Sequence, residues 1–348
     1  MKFHIAVNLE RMSPETSITS VRDHTLEMIK MADSAGFDVA WAAEHHALEM
    51  TIAPNPFQIL GWWAENTKKI RLGTGVVNAA YWHPINLAGE AAFLDLVSDG
   101  RLEFGIGSGA YQREFDRIKP GLDQKDSWRY MQEMLPAVKK LWRGDYAHEG
   151  EFWNFPTATS CPKPLQENVP IWLAARAPIT FDYAVRHDCN ILSWPLTMPL
   201  SEIETYRKRL DDAIERNSGK YTGKWSVMRH AAIYKTEEDR DGAINAVRRV
   251  LGRFGNLMMK KGHVTNGFSE EIPIEELEGN VRVDPQMLEQ NLMFGSPKQV
   301  IAKLKVYEKL GVDAFLYYAS MGMDMSQQKR SLQMFIEEVV PAFSEAES

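Results

Sequence analysis

The 348 residues are 44% hydrophobic and 25% charged, with a formal net charge of -7. That balance predicts a globular protein with a large core and favours neither nucleic acid nor an anionic membrane as partner. No apolar run nears the ~20 residues of a spanning helix, the opening MKFHIAVNLERM has no signal-peptide core, and Cys161 and Cys189 lie in separate segments; a reducing, cytoplasmic setting is expected.

Strand-like and helix-like segments alternate from the start. Residues 2–8 (KFHIAVN) are a short apolar run, after which Val21, Met28, Ile29 and Ala32 fall at helical spacing before Gly36, a fitting C-cap. Residues 39–43 read as a second strand, 56–67 as an apolar helix, 70–78 (IRLGTGVVN) as a third strand and 84–97 as a helix opened by proline. Asp99-Gly100 turns the chain into a fourth strand at 102–106. Residues 111–143 carry helical periodicity, and 145–157 (DYAHEGEFWNFPT) read as a hairpin around Glu149-Gly150. Further strands follow at 171–175, 190–194, 226–234 and 314–318. Helices at 180–187, 199–216, 240–254 and 297–310 interleave with them, and a last one covers 327–340. Eight strands joined mostly through helices predict a (β/α)8 barrel, a single domain over 1–348. Residues 261–292 are charged and weakly patterned, and are expected to form a mobile active-site cover.

In such a barrel, chemistry sits at the C-terminal ends of the strands. Those ends carry Glu44-His45-His46, then Asn78 followed by Tyr81, Trp82 and His83, then GIGSGAY at 105–111, Ala175-Arg176-Ala177, and Ser193-Trp194. This collection suits a planar, phosphorylated ligand better than a metal. Adjacent histidines on a strand point to opposite sides, unlike the one-turn spacing of HExxH, and no carboxylate or cysteine cluster completes a ligand set. No metal is expected. Each histidine stays open to two readings, an acid–base group or a polar side chain satisfied at a strand end. GIGSG lacks the spacing and the second acidic strand of a dinucleotide site, which leaves tight backbone packing or close approach of a ligand to backbone N–H groups. Arg176 precedes a helix start near Thr180, which is phosphate-binding chemistry or else a surface ion pair. Trp62, Trp63, Tyr81 and Trp82 fit either an apolar pocket or core.

Four segments together carry a resemblance: WAAEHHALEM, RLGTGVVNAAYWHPINLAGEAAFLDLVSDGRLEFGIGSGAYQREF, IWLAARAPITFDYAVRHDCNILSW and FGSPKQVIAKLKVYEKLGVDAF. The chain is similar to the bacterial luciferase-like family of flavin monooxygenases. The resemblance implies a TIM barrel with insertions at the C-terminal face of its strands. It also implies reduced FMN supplied by a separate flavin reductase, and pairing as a homodimer or with a related subunit. It makes His45 and His46 the catalytic pair, His45 the active member, with Glu44 in support. It places a non-proline cis peptide at Gly75-Val76 beneath the flavin ring, Tyr111 near that ring, and Trp194 as an indole walling it. Ala175, Arg176 and Ala177 fall where the family grips the phosphate. Luciferase has an arginine where this chain has Ser108 and a small hydroxyl residue where it has Arg176, so the phosphate-binding charge is expected to have moved between strands. Luciferase also has a cysteine in place of Gly107, and light emission is not implied. The implied reaction is oxygenation, through a flavin peroxide formed with O2, of a small uncharged organic molecule such as an aldehyde or ketone. The alternatives are deazaflavin-dependent hydride transfer on the same fold and a non-catalytic flavin-binding subunit.

Overall fold

The computed structural model describes residues 1–343 apart from 218, 260–261, 278–280 and 320. Its centre is a ring of eight parallel strands: β1 Lys2–Ala6, β2 Val39–Ala42, β3 Arg71–Thr74, β4 Leu102–Gly107, β5 Ile171–Ala174, β6 Asn190–Ser193, β7 Trp225–Ile233 and β8 Ala314–Ala319. Each pairs with its neighbours in sequence, and β8 pairs back onto β1, with Lys2 opposite Ala314 and Ala6 opposite Tyr318. The ring is closed, a (β/α)8 barrel as expected. All six residues of β8 are buried, as a strand covered on both faces requires.

The outer ring follows from apolar spacing and capping. Helix α1, Ile18–Ser34, starts where Ser17 accepts the Ser20 N–H, and it buries Val21, Thr25, Met28, Ile29 and Ala32 along one stripe. Met28 and Ile29 are fully buried, worth about 1.5–3 kcal/mol each. Met28→Asp would set an unpaired charge against the barrel and undock the helix. Helices α2, Pro56–Asn66, and α3, Pro84–Val97, both open on proline, with Asn55 and His83 as side-chain caps. Trp63 of α2 is fully buried, and Trp62 packs against the same core. These two tryptophans are therefore core and not pocket.

The region read as helical over 111–143 is two helices, α4 Gln112–Ile118 and α5 Ser127–Arg143. Pro120 has no N–H and pushes Lys119 out of helical backbone, and Gly121 follows at φ 92°. The expected hairpin forms from Tyr146–Glu149 and Asn154–Ala158. Next come α6 Pro178–Arg186, α7 Leu200–Arg216 and α8 Glu237–Met259. The segment 261–292 is more ordered in pattern than its sequence implies. Its described residues include a small hairpin, Val264–Thr265 with Phe268–Ser269, and helix α9, Pro285–Asn291. Residues 261 and 278–280 of that expected cover lie outside the described ones. Helices α10 Pro297–Lys309 and α11 Met325–Met334 complete the ring. No described helix is long and apolar enough to cross a membrane.

Side chains fill the lower barrel. Trp41 and Trp172 meet edge to face at 5.3 Å, with His4 against Trp172 at 5.7 Å. Glycine makes that possible, because a Cβ at Gly73 would lie 2.3 Å from the Trp41 ring. The Trp172 indole N–H donates to Glu103, which pairs with Arg71. With the interior plugged, a ligand site can open only at the C-terminal mouth.

Candidate active site

The histidine pair lies beyond β2, not on it. The His45 N–H donates to the Ala53 carbonyl at 2.9 Å in an isolated antiparallel bridge. The rings are thus separated by two carboxylates and not by strand alternation. His45 Nδ1 lies 3.2 and 3.3 Å from the Glu114 oxygens, and the His46 N–H donates to Glu114 Oε1 at 2.8 Å. His46 Nε2 sits 3.0 Å from Glu44 Oε1. Glu44 also accepts the Trp82 indole N–H at 2.9 Å and the Asn78 N–H at 2.6 Å. Trp82 therefore serves the polar site rather than an open pocket. Glu114 and Glu44 are each 2% exposed, so each histidine is oriented by a carboxylate that is itself held in place.

Burial lowers the His45 pKa, but the charge and hydrogen bond of Glu114, with the charge of Glu44, outweigh it and hold the imidazolium above its ordinary range. The contact to Glu114 engages Nδ1 and leaves Nε2 on the far edge of the ring. Glu114 escapes the sequence reading, although it stands in the first turn of α4, its N–H bonded to the Tyr111 carbonyl.

From His45 a continuous aromatic wall runs round the mouth. Tyr111 lies 5.4 Å from His45, Phe254 6.0 Å from Tyr111, Trp194 6.4 Å from Phe254, and Tyr318 5.7 Å from Trp194. His230 closes it, 4.8 Å from Tyr318. Tyr111 and Trp194 were read from sequence; His230 and Tyr318, inside strands β7 and β8, were not. The Trp194 indole nitrogen is buried and has no hydrogen-bond partner in the protein. A buried donor of this kind is what an incoming acceptor would satisfy.

Gly75-Val76 is a cis peptide. A Cβ at Gly107 would come within 2.8 Å of Val76 Cγ2, and one at Gly105 within 1.9 Å of the Thr74 carbonyl oxygen. Those two glycines therefore serve close packing between β3 and β4, and Gly109, at φ 83°, makes the turn out of the barrel. Ser108 lies between them at the end of β4, half-buried.

Across the mouth, β5 runs into α6. Ala175 is fully buried, its N–H bonded to the Leu192 carbonyl at 2.9 Å. Arg176 and Ala177 are exposed. The Arg176 Nε–H donates to the Tyr206 hydroxyl at 3.2 Å, and its backbone N–H to Thr180 Oγ1 at 3.2 Å. Arg209 donates to the Arg176 carbonyl. Ala177, the N-cap of α6, has no capping side chain. Pro178 has no N–H and the Thr180 and Phe181 N–H groups bond to the Ala177 carbonyl, so the helix end offers positive potential with Ile179 as its first-turn donor. Burial raises the Tyr111 pKa, as does the Glu114 charge, and the Arg176 charge opposes them.

The small hairpin contacts the histidine side of the mouth. The Gly267 carbonyl accepts the Glu49 N–H at 2.9 Å, and Arg113 donates to the Gly262 carbonyl at 3.3 Å. Among the described residues no three His, Cys, Asp or Glu side chains converge as metal ligands. The mouth combines flat apolar walls, an unpartnered indole N–H and an arginine beside a helix N-terminus. Those features fit a planar ring system that ends in a phosphate.

Comparison with known proteins points the same way. The sequence profile of the family described as luciferase-like monooxygenase matches residues 1–314. The chain is 39% identical over 347 residues to the oxygenase component of the flavin-dependent trigonelline monooxygenase of Acinetobacter baylyi, covering 99% of this chain and 96% of the relative. Among solved structures, a monooxygenase from Streptomyces bottropensis superposes with TM-score 0.82 at 23% identity over 99% of this chain and all of that one. The oxygenating constituent of 3,6-diketocamphane monooxygenase from Pseudomonas putida, in complex with FMN, gives 0.76 at 19% identity over 98% of both chains.

Proposed function

Because the chain belongs to the luciferase-like monooxygenase family, we propose that it is the oxygenase component of a two-component cytoplasmic system. It uses reduced FMN from a separate reductase, together with O2, to oxygenate a small organic substrate. The observation that carries this reading is His45, whose protonated form buried Glu114 favours and whose ring faces the aromatic mouth. Reduced flavin, when bound, supplies the electrons and the activation of oxygen. The protein's part is to position and to exclude water. Tyr111 and Trp194 would wall the ring and Val76 and Ser108 would lie against it, while Arg176 and Ala177 would hold the phosphate, with buried Ala175 as backing whose own N–H is bonded to Leu192. His45 Nε2 moves a proton at the reacting end, with His46 and Glu44 fixing its loop.

The relative's named substrate, trigonelline, is a zwitterionic N-methylpyridinium carboxylate, which sets it against the uncharged molecule expected from sequence. Pairing with a second copy is part of the same proposal. It is supported by the outer face of α3, where Phe93 is 55% and Val97 47% exposed. Phe93→Arg with Val97→Arg should then sediment as a monomer.

The deciding experiment supplies reduced FMN and O2 with a panel of organic substrates and scores oxygenated product per flavin. Flavin oxidation with no product from any substrate would favour a non-catalytic flavin-binding subunit. Turnover without oxygen, with a reduced deazaflavin only, would replace the reading by hydride transfer.

A further inference from the structure

Glu10 stands at the barrel mouth just beyond β1, and the proposed reaction gives it no task. Its Oε2 accepts the Gly322 N–H at 2.7 Å, and its Oε1 accepts the Gln328 amide at 2.7 Å. Both donors are neutral. The basic groups that adjoin Glu10 and its partner Gln328 in the chain are engaged elsewhere: Arg11 pairs with Glu49, Lys329 with Glu27 and Arg330 with Asp239, while His24 meets the far side of the Gln328 amide at 2.8 Å. Among the described residues, no lysine, arginine or histidine pairs with Glu10. As a residue Glu10 is half-buried, and burial pushes its carboxyl up to about 8. An acid kept there without a counter-charge costs stability as an anion. Such a group points to a cation that arrives from outside.

The space beside it has the matching chemistry. The Tyr318 phenol, at the end of β8, lies within reach of the Glu10 charge and accepts the Asn8 amide at 2.5 Å. The Tyr318 ring meets Trp194 edge to face at 80° and His230 at 4.8 Å. The unpartnered indole N–H of Trp194 opens on the same wall. Ring faces beside one uncompensated carboxyl are how proteins recognise organic cations.

We propose that the mouth beside Tyr318 selects a substrate carrying a fixed positive charge on a planar ring, an N-alkylpyridinium, with Glu10 as its counter-ion and Tyr318 and Trp194 as its walls. This deepens the oxygenase reading and rests on it. Glu10 sets specificity and does not touch the proton handled by His45.

The test compares ligands of the same shape that differ only in ring charge. Binding to the full-length protein is measured for 1-methylpyridinium-3-carboxylate against 3-methylbenzoate, and for 1-methylnicotinamide against 3-methylbenzamide. The charged member of at least one pair should bind about tenfold tighter or more, and Glu10→Gln should erase that preference. Equal binding within both pairs, or no binding of any of the four, overturns the proposal. So does a preference that survives in a folded Glu10→Gln protein. The wild-type ratio stands whether or not the variant folds. Reduced-FMN turnover is measured separately, so loss of the flavin reading and loss of charge selection are distinct results.

Discussion

Replacing Glu114 with glutamine keeps the shape of the contacts to His45 and the His46 amide but removes the charge. Burial then acts on His45 against weaker opposition, and its titration should move to lower pH. A histidine NMR titration checks this; an unmoved His45 would detach Glu114 from its electrostatics. His45→Ala should leave FMN affinity near normal and cut product per reduced flavin by about 100-fold or more. Unchanged yield would remove His45 from the chemistry. Arg176→Ala should weaken reduced FMN by roughly 10- to 100-fold, the worth of a charge-assisted phosphate contact; near-normal affinity would place the phosphate elsewhere. At this scale the sequence shows residues whose neighbours in the chain announce them. His45 ends an apolar strand, and Arg176 opens a helix. Glu114 and Glu10 are hidden because their partners lie 69 and more than 300 positions away, and only the closed barrel brings them together.

Elements were legible where a local period or a breaker decides them. Apolar runs marked all eight strands, and prolines at 56 and 84 marked two helix starts. The break between α4 and α5 was lost inside a broadly amphipathic stretch, though Pro120 and Gly121 stand at the spot. The hairpin at 264–269 was missed because two-residue strands carry almost no periodic signal. Its tip bonds to the loop that carries the histidines, so closing over a ligand should tighten both. Gly267 sits at φ 83°, with the space for a Cβ only 3.0 Å from Glu49 Cγ. Gly267→Ala therefore strains the tip. FMN should slow limited proteolysis within 261–292, and Gly267→Ala should speed it. Cleavage indifferent to both flavin and substitution would show that this segment is not a cover.

Closure of the ring is a property of the whole chain, and it buries two histidines almost completely, His4 in the lower barrel and His230 at the mouth. Burial depresses both to about 3, with nearby Lys224 and Lys2 adding at His4 and Arg229 at His230. Each stays neutral in the folded protein while the unfolded chain protonates near 6.5. Their contribution is thus present above pH 6.5 and lost as pH falls toward 3, at up to about 1.4 kcal/mol per unit for each. At pH 5 the pair should cost about 4 kcal/mol relative to neutral pH. Glu10, raised to about 8, acts in the opposite sense. Its contribution is complete below its unfolded value near 4.5 and is lost as pH rises to 8. His45, also raised, adds to the alkaline loss. Stability should therefore peak near pH 6.5 and fall on both sides. Urea unfolding from pH 5 to 8.5 checks this: His4→Phe should flatten the acid limb by about half, and Glu10→Gln should flatten the alkaline limb while leaving the acid limb in place. An alkaline limb unchanged in Glu10→Gln would mean that Glu10 is already ionised in the empty protein, and its counter-charge would then have to come from the protein itself.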